Sequence, residues 1–308
     1  QDDTYDVEYA TDGLALSISY IDATQGWIPT IDAAVADVPS KGNSEGIFGY
    51  GKNGGNQSIT NLVSNAGVVA TDTTGVGTAR NGPGACEYGG DKGIFGYGSG
   101  PTAVTNLVSN AGVVGTDVTG VGTARQDLTA CSYGADKGIF GYGAGPVSIT
   151  NLVSNAGVVG TDVTGVGTSR DQLAASKYGG DKAIFGFGYT AGATGVTNLV
   201  SNTGVVATDV AAVGTARWGP AACKYGGDKA IFGFGTTGST TAVTNLVSNA
   251  GVVASDVTGV GTARRNLAAC EYDKDKGIIG FGTTGSVTAV TNLVSNTGVV
   301  ATDVTGVG

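Results

Sequence analysis

One phrase of about 45 residues recurs from Gly46 to Gly308, and nothing else in the chain constrains its fold as tightly. Its aromatic-glycine core carries an isoleucine at Ile47, Ile94, Ile139, Ile184, Ile231 and Ile278, at intervals of 47, 45, 45, 47 and 47 residues. The cleanest copy runs from Asp136 to Arg170. A period of this length means one supersecondary unit made many times, each copy burying its apolar face on the next.

Turn chemistry divides each copy into four strands. In the third, Leu128–Tyr133 reads as a first strand, followed by a Gly-Ala-Asp-Lys turn and a second strand over Gly138–Gly143. After the loop Ala144–Pro146 comes a third strand, Val147–Ser154, and then Asn155-Ala156-Gly157, a turn whose glycine takes positive φ. Val158–Gly167 reads as the fourth. Val, Ile and Thr dominate the apolar content, as strands prefer, and no helix-period stretch competes. The expected class is all-β: a β-propeller of four-stranded blades. An open stack would need polar terminal repeats as caps, and the sixth copy is as apolar as the middle ones, so a closed ring is the better reading.

Six blades are expected, or seven if residues 4–30 form a blade of their own. The first copy lacks a first strand, for which Ala33–Pro39 stands in, and the last stops after its fourth, an offset that fits closure by an N-terminal strand. Residues 1–45 then form a short N-terminal β-module with that closing strand, and residues 46–308 the six-repeat propeller. In the module, Thr4–Ala10 and Leu14–Tyr20 read as strands around an Asp12-Gly13 turn, Gly26-Trp27-Ile28 begins a third, and Ile31–Val38 supplies a fourth. Gln1 is not an initiator methionine and no apolar leader follows, which suggests a processed or trimmed chain.

The order of an arginine, a small apolar run, a turn and an aromatic-glycine strand resembles the kelch family of propeller repeats across residues 46–308. The match lies in Arg80, Arg125, Arg170, Arg217 and Arg264 and the apolar-glycine strands they precede. FGYG or FGFG stands where kelch repeats carry a Gly-Gly doublet, and Val where they carry a Trp. The segment SYIDATQGWIPT (Ser19–Thr30) is similar to the outer half of a kelch-type blade, and to β-modules that precede the heads of phage tail fibres.

Composition narrows the chemistry. The formal net charge is -9, with no basic cluster, which argues against nucleic acid as a partner. No apolar run is long enough to span a membrane. There is no histidine, which removes the commonest general base and metal ligand. Cys86, Cys131, Cys223 and Cys270 occupy one repeat position, held by Ser176 in a fifth copy, and read as small buried hydrophobes. No nucleophile elbow, phosphate loop or HExxH is present. Neither a metal nor a cofactor is expected.

Asp72, Asp117, Asp162, Asp209 and Asp256 each precede by eight residues an arginine: Arg80, Arg125, Arg170, Arg217 and Arg264. The spacing suggests ion pairs from blade to blade. In the second strand, alternation puts Ile94, Gly96 and Gly98 on one face and Phe95 and Tyr97 on the other. The turns GGDK and SNAG barely vary between copies, whereas the second-to-third and fourth-to-first connections vary in length and chemistry. A four-stranded meander brings those variable loops to one end, where function concentrates. The candidate binding residues there are Lys52, Asp127, Asp171, Tyr189, Trp218, Arg265 and Asn266.

With recurring aspartates better suited to scaffolding than catalysis, the expected function is non-enzymatic: a structural or adhesive propeller of a virion fibre or extracellular surface filament. It would bind glycan or protein through the variable face and self-associate through the N-terminal strands. The alternatives are a kelch-like intracellular interaction module and a carbohydrate-active enzyme using paired carboxylates.

Overall fold

The computed structural model describes residues 17–22, 26–30 and 44–306. Their regular elements are all strands, with no helix among the described residues. The chain divides into two compact units, Gln1–Gly42 and Asn43–Gly308.

In the first unit, β1 (Ser17–Asp22) pairs antiparallel with β2 (Gly26–Thr30), with Ser17 opposite Thr30 and Tyr20 opposite Trp27. The expected strands Thr4–Ala10 and Ile31–Val38, the Asp12-Gly13 turn and the closing segment Ala33–Pro39 lie outside the described residues.

The second unit consists of six small antiparallel sheets, one per repeat. Sheet 1 holds β3 (Gly46–Asn53) and β4 (Gly55–Val63). Sheet 2 holds β5 (Gly84–Tyr88), β6 (Lys92–Gly98) and β7 (Thr102–Val108). Sheet 3 is β8 (Thr129–Tyr133), β9 (Lys137–Gly143) and β10 (Val147–Val153). Sheet 4 is β11 (Ala174–Tyr178), β12 (Lys182–Gly186) and β13 (Thr197–Val200). Sheet 5 is β14 (Ala221–Tyr225), β15 (Lys229–Gly233) and β16 (Thr244–Val247), and sheet 6 is β17 (Ala268–Tyr272), β18 (Lys276–Gly280) and β19 (Thr291–Val294). The aromatic-glycine strand is always central where three strands are present: Ile139 lies opposite Cys131 on one side and Leu152 on the other.

The expected fourth strand is not a regular strand. Val158–Gly167 joins β10 only through bridges, Val159 to Val153 and Val163 to Thr150. One residue more lies between the bridges on this segment than on β10, so the ladder cannot run through. The Asn151 side chain takes over instead, its Nδ2 donating to Gly160 O at 3.1 Å and Asp162 Oδ1 at 2.9 Å. A side-chain amide here does the work of a backbone rung.

Each sheet packs on the next by one device. A methyl group on Gly96 would come within 2.6 Å of Phe140 Cζ, so the bare glycine admits the neighbour's ring. Gly49 receives Phe95, Gly141 receives Phe185, Gly186 receives Phe232 and Gly233 receives Ile279. The relation also runs from the sixth sheet to the first: Gly280 faces Phe48, and Gly46 lies against Cys270 as Gly138 does against Cys86. Asp273 N–H donates to Ser44 O at 2.7 Å, repeating the bond from Gly89 to Asp136.

Phe95 and Tyr97 do not share a face. The register shifts between Gly96 and Gly98, and Tyr97 takes φ of 63°. This left-handed residue turns its ring to the Gly96 side, where it meets Phe140 edge-on at 5.1 Å, while Phe95 meets Tyr50 of the preceding unit at 5.1 Å. Tyr50, Tyr142, Phe187, Phe234 and Phe281 repeat the conformation.

The first strands face one another. Lys224 Nζ lies 2.7 Å from Glu271 Oε1, and Lys177 and Lys224 both act on Glu87 across the interior. Desolvation raises the carboxyls of Glu87 and Glu271 even so.

Candidate functional site

The second residue after each junction arginine builds the loop end. Asp127 N–H donates to Gly82 O (3.0 Å), Gln172 to Asp127 (2.9 Å), Gly219 to Gln172 (2.8 Å) and Asn266 to Gly219 (2.9 Å). One chain of backbone bonds thus links the connections of successive units. All five residues have left-handed φ, from 50° at Gln172 to 62° at Gly219. That conformation is why Gly, Asp and Asn recur here. Asp127 and Asn266, expected as binding residues of the variable face, thus also carry the backbone chain of that end. The signal was there, in small or amide-like residues at one fixed offset from the arginine.

On this scaffold a continuous patch crosses four units. Asp127 accepts from Gln126 Nε2 at 3.1 Å, and desolvation raises its carboxyl above the usual range. Asp171, next to Gln172, is also raised, first by desolvation and further by the charge of Asp127. Asp171 and Tyr189 exchange backbone hydrogen bonds of 3.0 and 2.8 Å. The Tyr189 ring meets Trp218 edge-on at 5.9 Å, and the Arg265 guanidinium lies over Trp218 at 4.6 Å. The structure therefore joins Asp127, Asp171, Tyr189, Trp218 and Arg265. Asn266 lies at the edge of this patch, its Oδ1 against Gly219. Lys52 is exposed on the β3–β4 hairpin and is not drawn into the patch.

The expected Asp–Arg ion pairs are corrected. The ion pairs among the described residues join lysines to acids. Arg80, Arg125, Arg170, Arg217 and Arg264 are instead buried in the junctions between units, each over an aromatic ring. Arg125 lies 4.3 Å over Tyr97, with Nε donating to Tyr142 O (2.7 Å) and Nη2 to Asn151 Oδ1 (2.8 Å). Asn151 in turn holds Asp162, the aspartate of the following unit, so an amide separates the charges. Asp162 also takes the backbone N–H of Thr123 at 3.1 Å and its hydroxyl at 2.6 Å. Asp72 stands in the first unit, and its carboxylate accepts from Asn61 at 2.8 Å. Arg217 departs from the pattern: its Nε and Nη2 make no hydrogen bond, and burial pushes its pKa down to about 10.

No family model and no curated protein matches this sequence. Solved structures do match in fold. A fungal alcohol oxidase of the AA5 family, solved in complex with copper, aligns with a TM-score of 0.53 at 15% identity, over 86% of this chain and 63% of its own. The chain thus spans less than two thirds of that protein's length, and at this identity the likeness is one of fold. It overturns the expectation of a structural or adhesive protein of a fibre or filament: the architecture is matched by an enzyme.

The copper of that oxidase finds no suitable donors here. The sequence has no histidine, the four cysteines stand in four different sheets, and no three Cys, Asp or Glu side chains converge among the described residues. Burial pushes the Cys86 and Cys270 thiols up to about 12, far from the thiolate that binds metal. Among the described residues no helix is long and apolar enough to cross a membrane.

Proposed function

We propose that the chain is a carbohydrate-active enzyme built on a kelch-like, six-bladed β-propeller, with its site in the loop-end patch of Asp127, Asp171, Tyr189, Trp218 and Arg265. The propeller reading is supported by the contact of a bare strand glycine with a large side chain of the next sheet, phenylalanine at five junctions and Ile279 at one, which recurs between successive sheets and again between the sixth and the first. A fold match to an oxidase of the AA5 family supports the enzyme reading. The observation that carries the site is the pair of desolvated carboxyls beside an aromatic–arginine stack, drawn from different units onto one surface.

The chemistry follows from the environment. Sugars present apolar C–H faces that stack on indole and phenol rings, and hydroxyls that a guanidinium can bind. A carboxyl raised by burial stays protonated where an exposed one has ionised, and so serves as a proton donor to a glycosidic oxygen. Asp127 takes that role. Asp171, whose ionisation Asp127 disfavours while charged, becomes the base or nucleophile once Asp127 holds its proton. The reaction proposed is glycoside hydrolysis by paired carboxylates, with no metal step.

A panel of aryl glycosides and soluble polysaccharides assayed between about pH 4 and pH 7 tests this. Turnover is expected on at least one substrate, with Asp127→Asn lowering kcat roughly 100-fold or more and Trp218→Ala acting mainly on KM. A panel without turnover, or an Asp127→Asn variant as active as the parent, would overturn the reading.

A further inference from the structure

The residue that follows each junction arginine takes one place in the repeat, and three consecutive units fill it with an acid, an indole and a guanidinium: Asp171, Trp218 and Arg265. The backbone holds the three alike. Trp218 exchanges hydrogen bonds of 3.0 and 2.9 Å with Thr236, and Arg265 of 3.1 and 2.9 Å with Thr283, as Asp171 does with Tyr189. The frame is constant, and the side chains alone set what this part of the loop end can bind.

Arg265 is the cation of that surface. Of the six arginines, the other five are buried in the junctions between units. Lys92, Lys137, Lys182, Lys229 and Lys276 begin the second strands, at the far end of each sheet from these loops. Arg265 is half-buried, with its guanidinium 4.6 Å over the Trp218 ring. Yet it takes part in none of the ion pairs or side-chain hydrogen bonds among the described residues. Stacking uses only the face of a guanidinium and leaves its N–H groups in the plane, a fork that matches a carboxylate.

Nor is its charge spent on the carboxyls of the same patch. An arginine close to Asp127 or Asp171 would pull their carboxyls down. Both are raised instead, by burial first and, for Asp171, by the charge of Asp127 as well. The patch thus has two parts of opposite character on adjoining units. Asp127 and Asp171 make the acid part, Trp218 and Arg265 the cationic part, and Tyr189 touches both. A neutral sugar offers such a cation only hydroxyls, whereas a sugar acid pairs its charge.

We propose that the glycan this patch takes is acidic: the carboxylate of a uronic acid residue is held by the Arg265 guanidinium beside Trp218, with the bond to be cleaved on the side of Asp127 and Asp171. This rests on the reading of the patch as a glycoside-hydrolysing site and adds its substrate class. The division of the patch has a physical reason, since a uronate set directly against the two carboxyls would meet like charge.

The test is calorimetric titration of Asp127→Asn protein, which leaves bound substrate uncut, with oligomers of galacturonate, glucuronate and mannuronate at about pH 6, each beside its neutral methyl ester. Asparagine suits that backbone conformation, as Asn266 shows with the same φ of 55°. At least one uronide should bind roughly tenfold or more tightly than its ester. Arg265→Gln in the same background should remove that preference while leaving ester binding within about twofold. A sulfated galactan oligomer, the second kind of anion, should bind more weakly than the best uronide. The proposal is overturned if no uronide binds at millimolar concentration, if uronide and ester bind alike, or if the sulfate binds best. It is also overturned if Arg265→Gln weakens uronide and ester equally, as mere support of Trp218 would require. Turnover of neutral glycans with no uronide preference would leave glycoside hydrolysis standing without this substrate class. Uronide binding with no turnover of any glycan would do the reverse.

Discussion

Glycine in the middle of a strand ordinarily weakens it, and here it is what lets neighbouring sheets approach. Gly96 has no room for a methyl group against Phe140, whereas Gly145, in the loop after β9, has nothing within 4 Å of the same position. Gly96→Ala should therefore destabilise by about 1–3 kcal/mol through overpacking. Gly145→Ala should cost about 1 kcal/mol for its positive φ alone. Chemical denaturation of the two variants separates these, and equal small losses would argue against the close approach. That glycines make way for aromatic rings was readable from the alternation in the second strand. The turn of Tyr97 onto the Gly96 face was not, because it depends on a left-handed residue that the pattern of side chains does not encode.

Between elements, the recurring Asp-Asn-Thr contact replaces a regular fourth strand and ties one unit to the next. Desolvation, the largest single influence on Asp117, Asp162, Asp209, Asp256 and Asp303, pushes their carboxyls up. The hydrogen bonds from Thr and Asn together outweigh it and hold them below the usual range. A carboxyl depressed in the folded state contributes stability above its unfolded pKa and loses it as pH falls through the folded value. Asp127, Asp171, Glu87 and Glu271 are raised and act in the opposite sense, losing their contribution as pH rises through their range. The five recurring aspartates should set the acid limb: Tm should fall from about pH 4 downward. Asp162→Asn should make that fall shallower in a pH series of melting curves, and an unchanged slope would remove the aspartate from the account. The eight-residue spacing of Asp and Arg singled out two residue types that both meet at the junctions. It misassigned their partners, because Asn151 and its equivalents stand between the charges.

At the scale of the whole molecule, the packing of the sixth sheet on the first decides whether the array has ends. If that junction carries the same load as the others, Phe48→Ala should cost as much as Phe140→Ala, about 3–5 kcal/mol each. Both rings are buried among side chains of two units, Phe48 with Phe281 edge-on at 5.1 Å and Phe140 with Tyr97 at 5.1 Å. Equilibrium unfolding of the two variants measures the comparison. A much smaller loss for Phe48→Ala would mean that the array frays there. The packing of consecutive sheets, not the sixth-to-first contact, brings Asp127, Asp171, Tyr189, Trp218 and Arg265 together, since connections far apart in sequence meet only when their sheets stand side by side.

The sequence by itself determined the period, the first three strands of the full repeats and the glycine turns, because each is written in residues a few positions apart and repeated until unmistakable. Only the tertiary structure decided which faces the rings take and that arginines stack on them instead of pairing with aspartates. Those outcomes depend on residues from neighbouring units meeting across a junction, and a junction has no local signature in the chain.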